Sequence, residues 1–486
     1  MNLIENLHAG RARPGARFAR TVFFASLLAA SPALAADQGP LDPHPGPGAV
    51  PVPETPAAAA SVDSRWWLLG AQVTSAGVVV PGVPGAYRNP EVSFGAPTVQ
   101  GGWSLVATLL AGARLWEGAI AVAQPEFADG TGVPNVSGVG GYIDGNIIRV
   151  AKVGKEPYLA RLYFQQEIAL GPVGSSEEEG APEDRFMPGG ALALRRPRPD
   201  SRLEITAGKF ATTDFFDAAT ATSDPRHRFM NWSLMTNGAW DFAADTRGYT
   251  WGVVVALEQP RWALRAGAAM MPTTPNGPVL DGDLAHARSE MVEGEIRYSA
   301  LGNPGAVKLL GYANHARMGS FSEALAAAPP ATPPSLDTVA RTGAVKYGAG
   351  VLLDQRLGPA TAFVRASWND GRTEEFAFTQ IERAISAGAV VPTDGWGRRG
   401  DHVGVGLALN GLSPSHVRYL AAGGADFQLG DGGLRYAWET VAEAFYALHA
   451  SENVELSADV QAIANPGMNA DRGPAFAFGL RLHAHI

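Results

Sequence analysis

The chain ends in PAFAFGLRLHAHI, and from Phe476 onward every second residue is apolar. Phe476, Phe478, Leu480, Leu482, Ala484 and Ile486 share one parity, against Ala475, Ala477, Gly479, Arg481, His483 and His485 on the other. Side chains of a β-strand point alternately to opposite faces, so this period of two predicts a strand with one greasy face and one small or charged face. The pattern recurs upstream. In YLARLYFQQEIAL, Tyr158, Ala160, Leu162, Phe164, Ile168 and Leu170 lie against Arg161, Tyr163, Gln165 and Glu167, with Gln166 the polar exception on the apolar parity. GLRYAWETVAEAFYAL sets Leu434, Tyr436, Trp438, Ala442, Ala444, Tyr446 and Leu448 against Arg435, Glu439 and Glu443. EMVEGEIRYSA sets Val292, Ile296 and Tyr298 against Glu293, Glu295 and Arg297. RWALRAGAAM and ENVELSADVQA repeat the arrangement, with Arg265 and Glu455 on the polar side.

Each such segment has about the ten residues that a tilted strand needs to cross a bilayer. Trp262, Tyr298, Trp368 and Tyr446 fall near segment ends, where an interfacial aromatic girdle belongs. A soluble β-sandwich or β-helix would show the same alternation. Against that, the strands run over ~400 residues without a repeat of 20–50 residues, and their polar faces cluster charges of both signs. The expected fold is all-β: a transmembrane antiparallel β-barrel of the outer-membrane porin type with ~16–18 strands.

The N-terminus adds an export signal. Arg11, Arg13, Arg17 and Arg20 precede the apolar run TVFFASLLAASPALA, which closes on Ala33-Leu34-Ala35. A basic region, a short apolar run and an A-x-A site describe a cleavable signal peptide over residues 1–35. Residues 36–61 are rich in proline and alanine and read as a flexible periplasmic segment, so the barrel is expected over residues 62–486. Two irregular stretches, GPVGSSEEEGAPEDRFMPGG and EALAAAPPATPPSLDT, suit long external loops. The stretch from Phe210 to Gly248 lacks sustained alternation yet carries Phe215, Phe216, Phe229 and Trp232 among Asp and Arg. It is expected to fold into the lumen near a constriction, the alternative being an ordinary surface loop.

Composition narrows the chemistry. Charged residues are 17% of the chain, below the usual ~25%, while 58 Gly and 36 Pro suit many strands joined by turns. A net charge of −9, with RRPRP at Arg195–Pro199 the only basic cluster beyond the N-terminus, argues against nucleic acid as a partner. Asp214 with Asp217, Glu293 with Glu295, and Glu439 with Glu443 are carboxylate pairs of the kind glycosidases use. The last two pairs sit on strand polar faces among arginines, which a wet lumen explains without catalysis. The chain has no cysteine and no HExxH, and the glycines of GVGVGLALNG lie inside a strand pattern rather than at a strand-to-helix turn. No catalytic residue, metal site or cofactor is expected.

Several segments together resemble the carbohydrate-selective porins of the OprB-like family. They are WNDGRTEEFAFTQIERAISAGAV, GDHVGVGLALNGLSPSHVRYLAAGG, GDGGLRYAWETVAEAFY and ANPGMNADRGPAFAFGLRLH, with GKFATTDFFDAATATSDPRHRFMNWSLMTNGAWDFAADTRGYTWG in the middle of the chain. GARLWEGAIAVAQPEFADGTGV and YLARLYFQQ precede them in the order the family shows. Ile486 departs from the aromatic residue on which such chains usually end. The resemblance spans most of Trp103 to His483. It implies passive diffusion of mono- or oligosaccharides across the outer membrane of a Gram-negative bacterium, by a lipid-embedded monomer or homotrimer. Alternatives are a general diffusion porin, a polysaccharide-export pore, and a secreted soluble β-rich protein that binds or cleaves polysaccharide. Within the porin reading, polar-parity residues become candidates for lining the pore and contacting sugar: Arg161, Glu167, Arg265, Glu293, Glu295, Arg297, Arg365, Glu439 and Glu443.

The segment 36–61 cannot bury enough apolar surface to order itself. Deleting it while retaining residues 1–35 is expected to leave a heat-modifiable barrel in the outer membrane. Loss of the folded band on unboiled gels would show that the segment is needed for assembly.

Overall fold

The computed structural model describes residues 66–90, 92–133, 143–145, 156–172, 194, 198–223, 226–376 and 380–486. The expected signal peptide and Pro/Ala-rich segment lie outside the described residues. Within these limits, sixteen antiparallel strands close on themselves. They are β1 (Trp67–Val80), β2 (Gln100–Trp116), β3 (Ala119–Thr131), β4 (Tyr158–Ala169), β5 (Arg202–Phe210), β6 (Thr250–Gln259), β7 (Trp262–Met270) and β8 (Arg288–Ala300). The second half comprises β9 (Asn303–Met318), β10 (Arg341–Leu357), β11 (Ala360–Asn369), β12 (Arg383–Pro392), β13 (His402–Gly411), β14 (Glu439–Ser451), β15 (Val454–Ala464) and β16 (Ala475–His485). Each strand pairs with its sequence neighbours, and β16 returns to β1 with Phe478 opposite Val79 and His485 opposite Gln72. That closure leaves no unpaired edge, which is why strands can stand in lipid at all. It also accounts for the alternation at the C-terminus: the last strand seals the barrel.

Parity sorts the side chains as the alternation requires. Leu162, Leu264, Ile296, Leu407 and Leu480 point outward and are exposed, whereas Arg161, Glu293, Glu455, Arg481 and His483 point inward and are buried. No helix among the described residues is long and apolar enough to cross a membrane. Exposed tryptophans mark both ends of the apolar band. Trp67, Trp116 and Trp262 sit at one end of their strands, and Trp103, Trp251 and Trp368 near the other. Two such belts are what the two bilayer interfaces favour.

The connections divide the two ends. Two-residue turns join β2 to β3, β6 to β7, β8 to β9, β10 to β11 and β14 to β15. The opposite end carries the longer connections, including α2 (Phe321–Ala327) between β9 and β10 and α3 (Pro414–Ala421) between β13 and β14. A shorter helix, α1 (Trp232–Met235), lies between β5 and β6.

The acidic stretch GPVGSSEEEGAPEDRFMPGG lies, beyond its first two residues, outside the described residues. Two expectations are corrected. Tyr158 and Ala160 face inward rather than outward. Register between β3 and β4 shifts after Gln124–Arg161 to Pro125–Leu159, so Ala160 is an extra residue and parity inverts before it. Pro125 has no N–H to give the ladder, a usual site for such a bulge. Leu434, Tyr436 and Trp438 precede β14 rather than belonging to it; Tyr436 bridges to Asn469 and its hydroxyl accepts a hydrogen bond from the Leu412 amide.

Outward positions therefore meet lipid. Leu162→Arg and Leu407→Arg are each expected to hinder assembly, by roughly 2–4 kcal/mol where the site nears the midplane. Leu162→Val should assemble normally. The yield of folded, heat-modifiable protein reads the difference, and equal yields for all three variants would contradict the outward assignment.

Candidate functional site

The inner wall is not simply wet. The β5–β6 connection, residues 211–249, is buried along almost its whole described length and packs on inward side chains from strands all around the barrel. It lies inside the lumen, where its aromatics, its main chain and many of its polar side chains meet partners on the wall. Phe229 packs on Phe363 and Phe445 at centroid distances of 5.9 and 5.1 Å. Glycines in the wall make room for these rings. A Cβ at Gly404 would lie 2.1 Å from the Phe445 ring, and one at Gly406 would lie 2.9 Å from Phe229. The glycines of GVGVGLALNG are thus clearances for aromatics, which is how a barrel admits a folded segment.

Charged wall residues hold the same segment. Arg161 on β4 donates twice to Asp214, from Nε at 2.7 Å and Nη2 at 2.6 Å, and once to Gln124. Arg365 on β11 donates from Nε to Asp217 at 3.2 Å, and to the carbonyls of Leu234 and Asp217. Asp217 itself has φ of 53°, an uncommon conformation for a non-glycine residue. Its carboxylate also accepts the Asn237 amide at 2.8 Å, and its own amide donates to Glu293 at 2.7 Å. Burial pushes the Asp217 carboxyl up, and the Arg365 guanidinium pulls it back toward the charged form. On β14, Glu443 accepts the amides of Met230 and Asn231 at 2.6 and 3.0 Å, just before α1. Lys308 donates to the Ala218 carbonyl at 2.7 Å, and Arg226 of the segment pairs with Glu126 on β3.

Toward the two-residue turns, the wall of β4 to β9 carries a second arrangement. Arg265 on β7 bridges Glu258, Glu293 and Glu295 at 2.7, 3.0 and 2.7 Å. Arg297 pairs with Glu258 and Glu295, and Lys308 approaches Glu295 at 3.5 Å. On β4 and β5, Glu167 and Glu204 face Arg202 and Arg198. Arg198 thus pairs with two inward carboxylates. The result is a belt of alternating charge along one side of the lumen.

The nine residues singled out from the sequence all lie on inward positions, but in different company. Arg161, Arg365 and Glu443 bond the lumen segment, and Glu293 joins that segment to the belt through Asp217 and Arg265. Glu439 accepts from Asn410 and from the Gly467 amide, under the β15–β16 connection. Glu167, Arg265, Glu295 and Arg297 belong to the belt, and among these Arg297 keeps the largest exposure, with 29% of its side chain accessible. Sequence reasoning omitted Glu258 and Lys308, which share the same parity signal, and Glu126, Asp214 and Asp217 as anchoring partners. Alternation could have found the first two, but nothing local marks which acid an arginine will meet.

Comparison with known proteins follows the same line. The model of the carbohydrate-selective porin, OprB family, matches residues 103–486. No curated protein matches the sequence significantly. The high-pH structure of Pseudomonas putida OprB superposes with a TM-score of 0.62 at 16% identity, over 86% of this chain and 94% of that one. Its low-pH structure gives 0.45 at 12% identity, over 86% and 92%. The outer-membrane channel DcaP of Acinetobacter baumannii gives 0.45 at 9% identity, over 86% and 97%.

Removing one partner of a buried pair leaves the other charge uncompensated, at a cost of ~3–5 kcal/mol. Arg365→Leu is therefore expected to lower the temperature at which the folded band disappears, and to admit protease to the segment 211–249. Arg365→Leu combined with Asp217→Asn should recover part of the loss. An unchanged melting temperature in the single variant would show that the pair does not hold the segment.

Proposed function

The chain belongs to the OprB family of carbohydrate-selective porins, and we propose that the charged belt of β4 to β9 is the surface along which sugars cross its lumen. The observation that carries this reading is the exposure of two arginines of the belt: Arg265 and Arg297 keep 12% and 29% of their side chains accessible, while their partners Glu258 and Glu295 keep 6% each and the anchoring pair Arg365 and Asp217 keeps 2% and 4%. A sugar presents hydroxyls that both donate and accept. Guanidinium groups and carboxylates side by side supply both halves of those bonds, replacing water lost on entry at a modest net affinity that still allows release. Because each positive group of the belt already faces a negative one, a neutral polyol can use all of it. A small ion can use only the groups of opposite sign and meets repulsion from the rest. Selectivity for sugar over salt follows from balance rather than from net charge.

The process is passive and forms no covalent bond. The carboxylate pairs that could suggest glycoside cleavage are each engaged: Asp214 by Arg161, Asp217 by Arg365, Glu293 and Glu295 by Arg265, and Glu443 by main-chain amides. On this reading residues 1–35 direct export, residues 36–61 form a leader, and residues 62–486 stand in the outer membrane of a Gram-negative bacterium. A monomer and a homotrimer both satisfy it, since each chain closes its own barrel and carries its own belt.

Planar-bilayer recordings with a panel of neutral sugars test the assignment. Arg297→Gln and Glu295→Gln are expected to weaken sugar block about fivefold, the equivalent of ~1 kcal/mol for one hydrogen bond in a wet site. Glu439→Gln, beneath a connection and away from the belt, should leave block unchanged. Equal block in all three variants would move selectivity to other residues. Conductance without sugar block in the wild type would favour a general diffusion pore.

A further inference from the structure

A second cluster lies near the end of the barrel that carries the longer connections. Glu375 and Glu382 belong to the β11–β12 connection and His416 to α3; all three have no exposed surface. One ligand atom from each falls within 4.8 Å of the others. His416 Nδ1 lies 2.6 Å from Glu382 Oε1, and the other Glu382 oxygen accepts the Ser413 amide at 2.9 Å. The Lys346 ammonium stands 3.1 Å from Glu375 Oε1, and His416 Nε2 has no hydrogen-bond partner. The imidazole is held flat against Phe321, with centroids 4.1 Å apart and planes at 12°.

We propose that Glu375, Glu382 and His416 bind one divalent transition-metal ion, with zinc as the representative cation. Two carboxylates and an imidazole match the ligand types of zinc, whose bonds of ~2.0–2.2 Å place neighbouring donors about 3.3 Å apart, so binding opens the 2.6 Å contact between His416 and Glu382. The nitrogen donor disfavours calcium and magnesium, which take oxygen ligands. Charge argues the same way: Glu375, Glu382, Asp426 and Asp241 converge on this region, with Lys346 beside Glu375 and Arg383 near Glu382, while Asp370 and Glu374 have Arg372 and Arg317 near them. A bound cation compensates these buried carboxylates. Because Asp241 of the lumen segment accepts the Phe376 amide at 3.0 Å, an ion here ties both connections to the segment inside the barrel.

The ligands are sealed, so the ion is acquired as the connections close. The full chain should therefore be refolded from urea into detergent with zinc or with EDTA, gel-filtered, and assayed for bound metal. The wild type is expected to retain about one zinc per folded chain, and its folded band should survive to a higher temperature than after refolding in EDTA. Glu375→Gln and His416→Gln should each lose the metal and the stabilisation, while His286→Gln on an exposed loop should keep both. Zinc absent from the wild type, or retained equally by the two site variants, would overturn the assignment. Should neither site variant fold, X-ray absorption of the zinc-loaded wild type decides. A single imidazole among oxygen ligands supports the site, and several imidazoles refute it.

Discussion

An inward position in a closed barrel can carry a buried charge only if something inside the barrel meets it. This constraint organises the molecule. Desolvating a lone guanidinium or carboxylate is expensive, whereas a well-bonded pair offsets much of that penalty. Arg161 with Asp214 and Arg365 with Asp217 are such pairs, each joining a wall strand to the segment folded within. Because Asp217 also receives the Asn237 amide and gives its own to Glu293, one residue fixes the turn of the segment and its place against two strands of the wall, β8 and β11. Aromatic packing on glycine clearances supplies shape, and the ion pairs supply register.

The same constraint divides the lumen. Where the segment lies, inward charges serve as anchors and lose their water. Along β6 to β9 they face one another instead, and Arg265 shares its donors among three carboxylates while Arg297 reaches toward solvent. On the proposed reading the segment narrows the passage, and the belt offers donors and acceptors that a sugar exchanges for water.

How far this was legible in the sequence depends on range. A period of two is a local property, so the inward parity of Arg265, Glu293 and Glu443, and the closing role of Phe476 to Ile486, could be read residue by residue. The absence of alternation from Phe210 to Gly248, together with its aromatics, pointed to a packed segment. What could not be read is non-local. The bulge opposite Pro125 inverts the parity of Tyr158 through a neighbouring strand. Partners such as Asp217 for Arg365 lie 148 positions apart, and no spacing rule joins them.

The claim on which the rest stands is that the segment 211–249 lies against the inner wall. The chain has no cysteine, so a designed pair is unambiguous. A Cβ at Gly238 would lie 2.8 Å from that of Ala384 on β12, close enough to a disulfide's ~3.8 Å for a small adjustment to join them. In Gly238→Cys/Ala384→Cys, the account predicts that the bond forms on folding, seen as a reducible change in mobility on denaturing gels, with neither thiol open to an impermeant maleimide on intact cells. Free thiols at both positions, with position 238 labelled from outside, would contradict it.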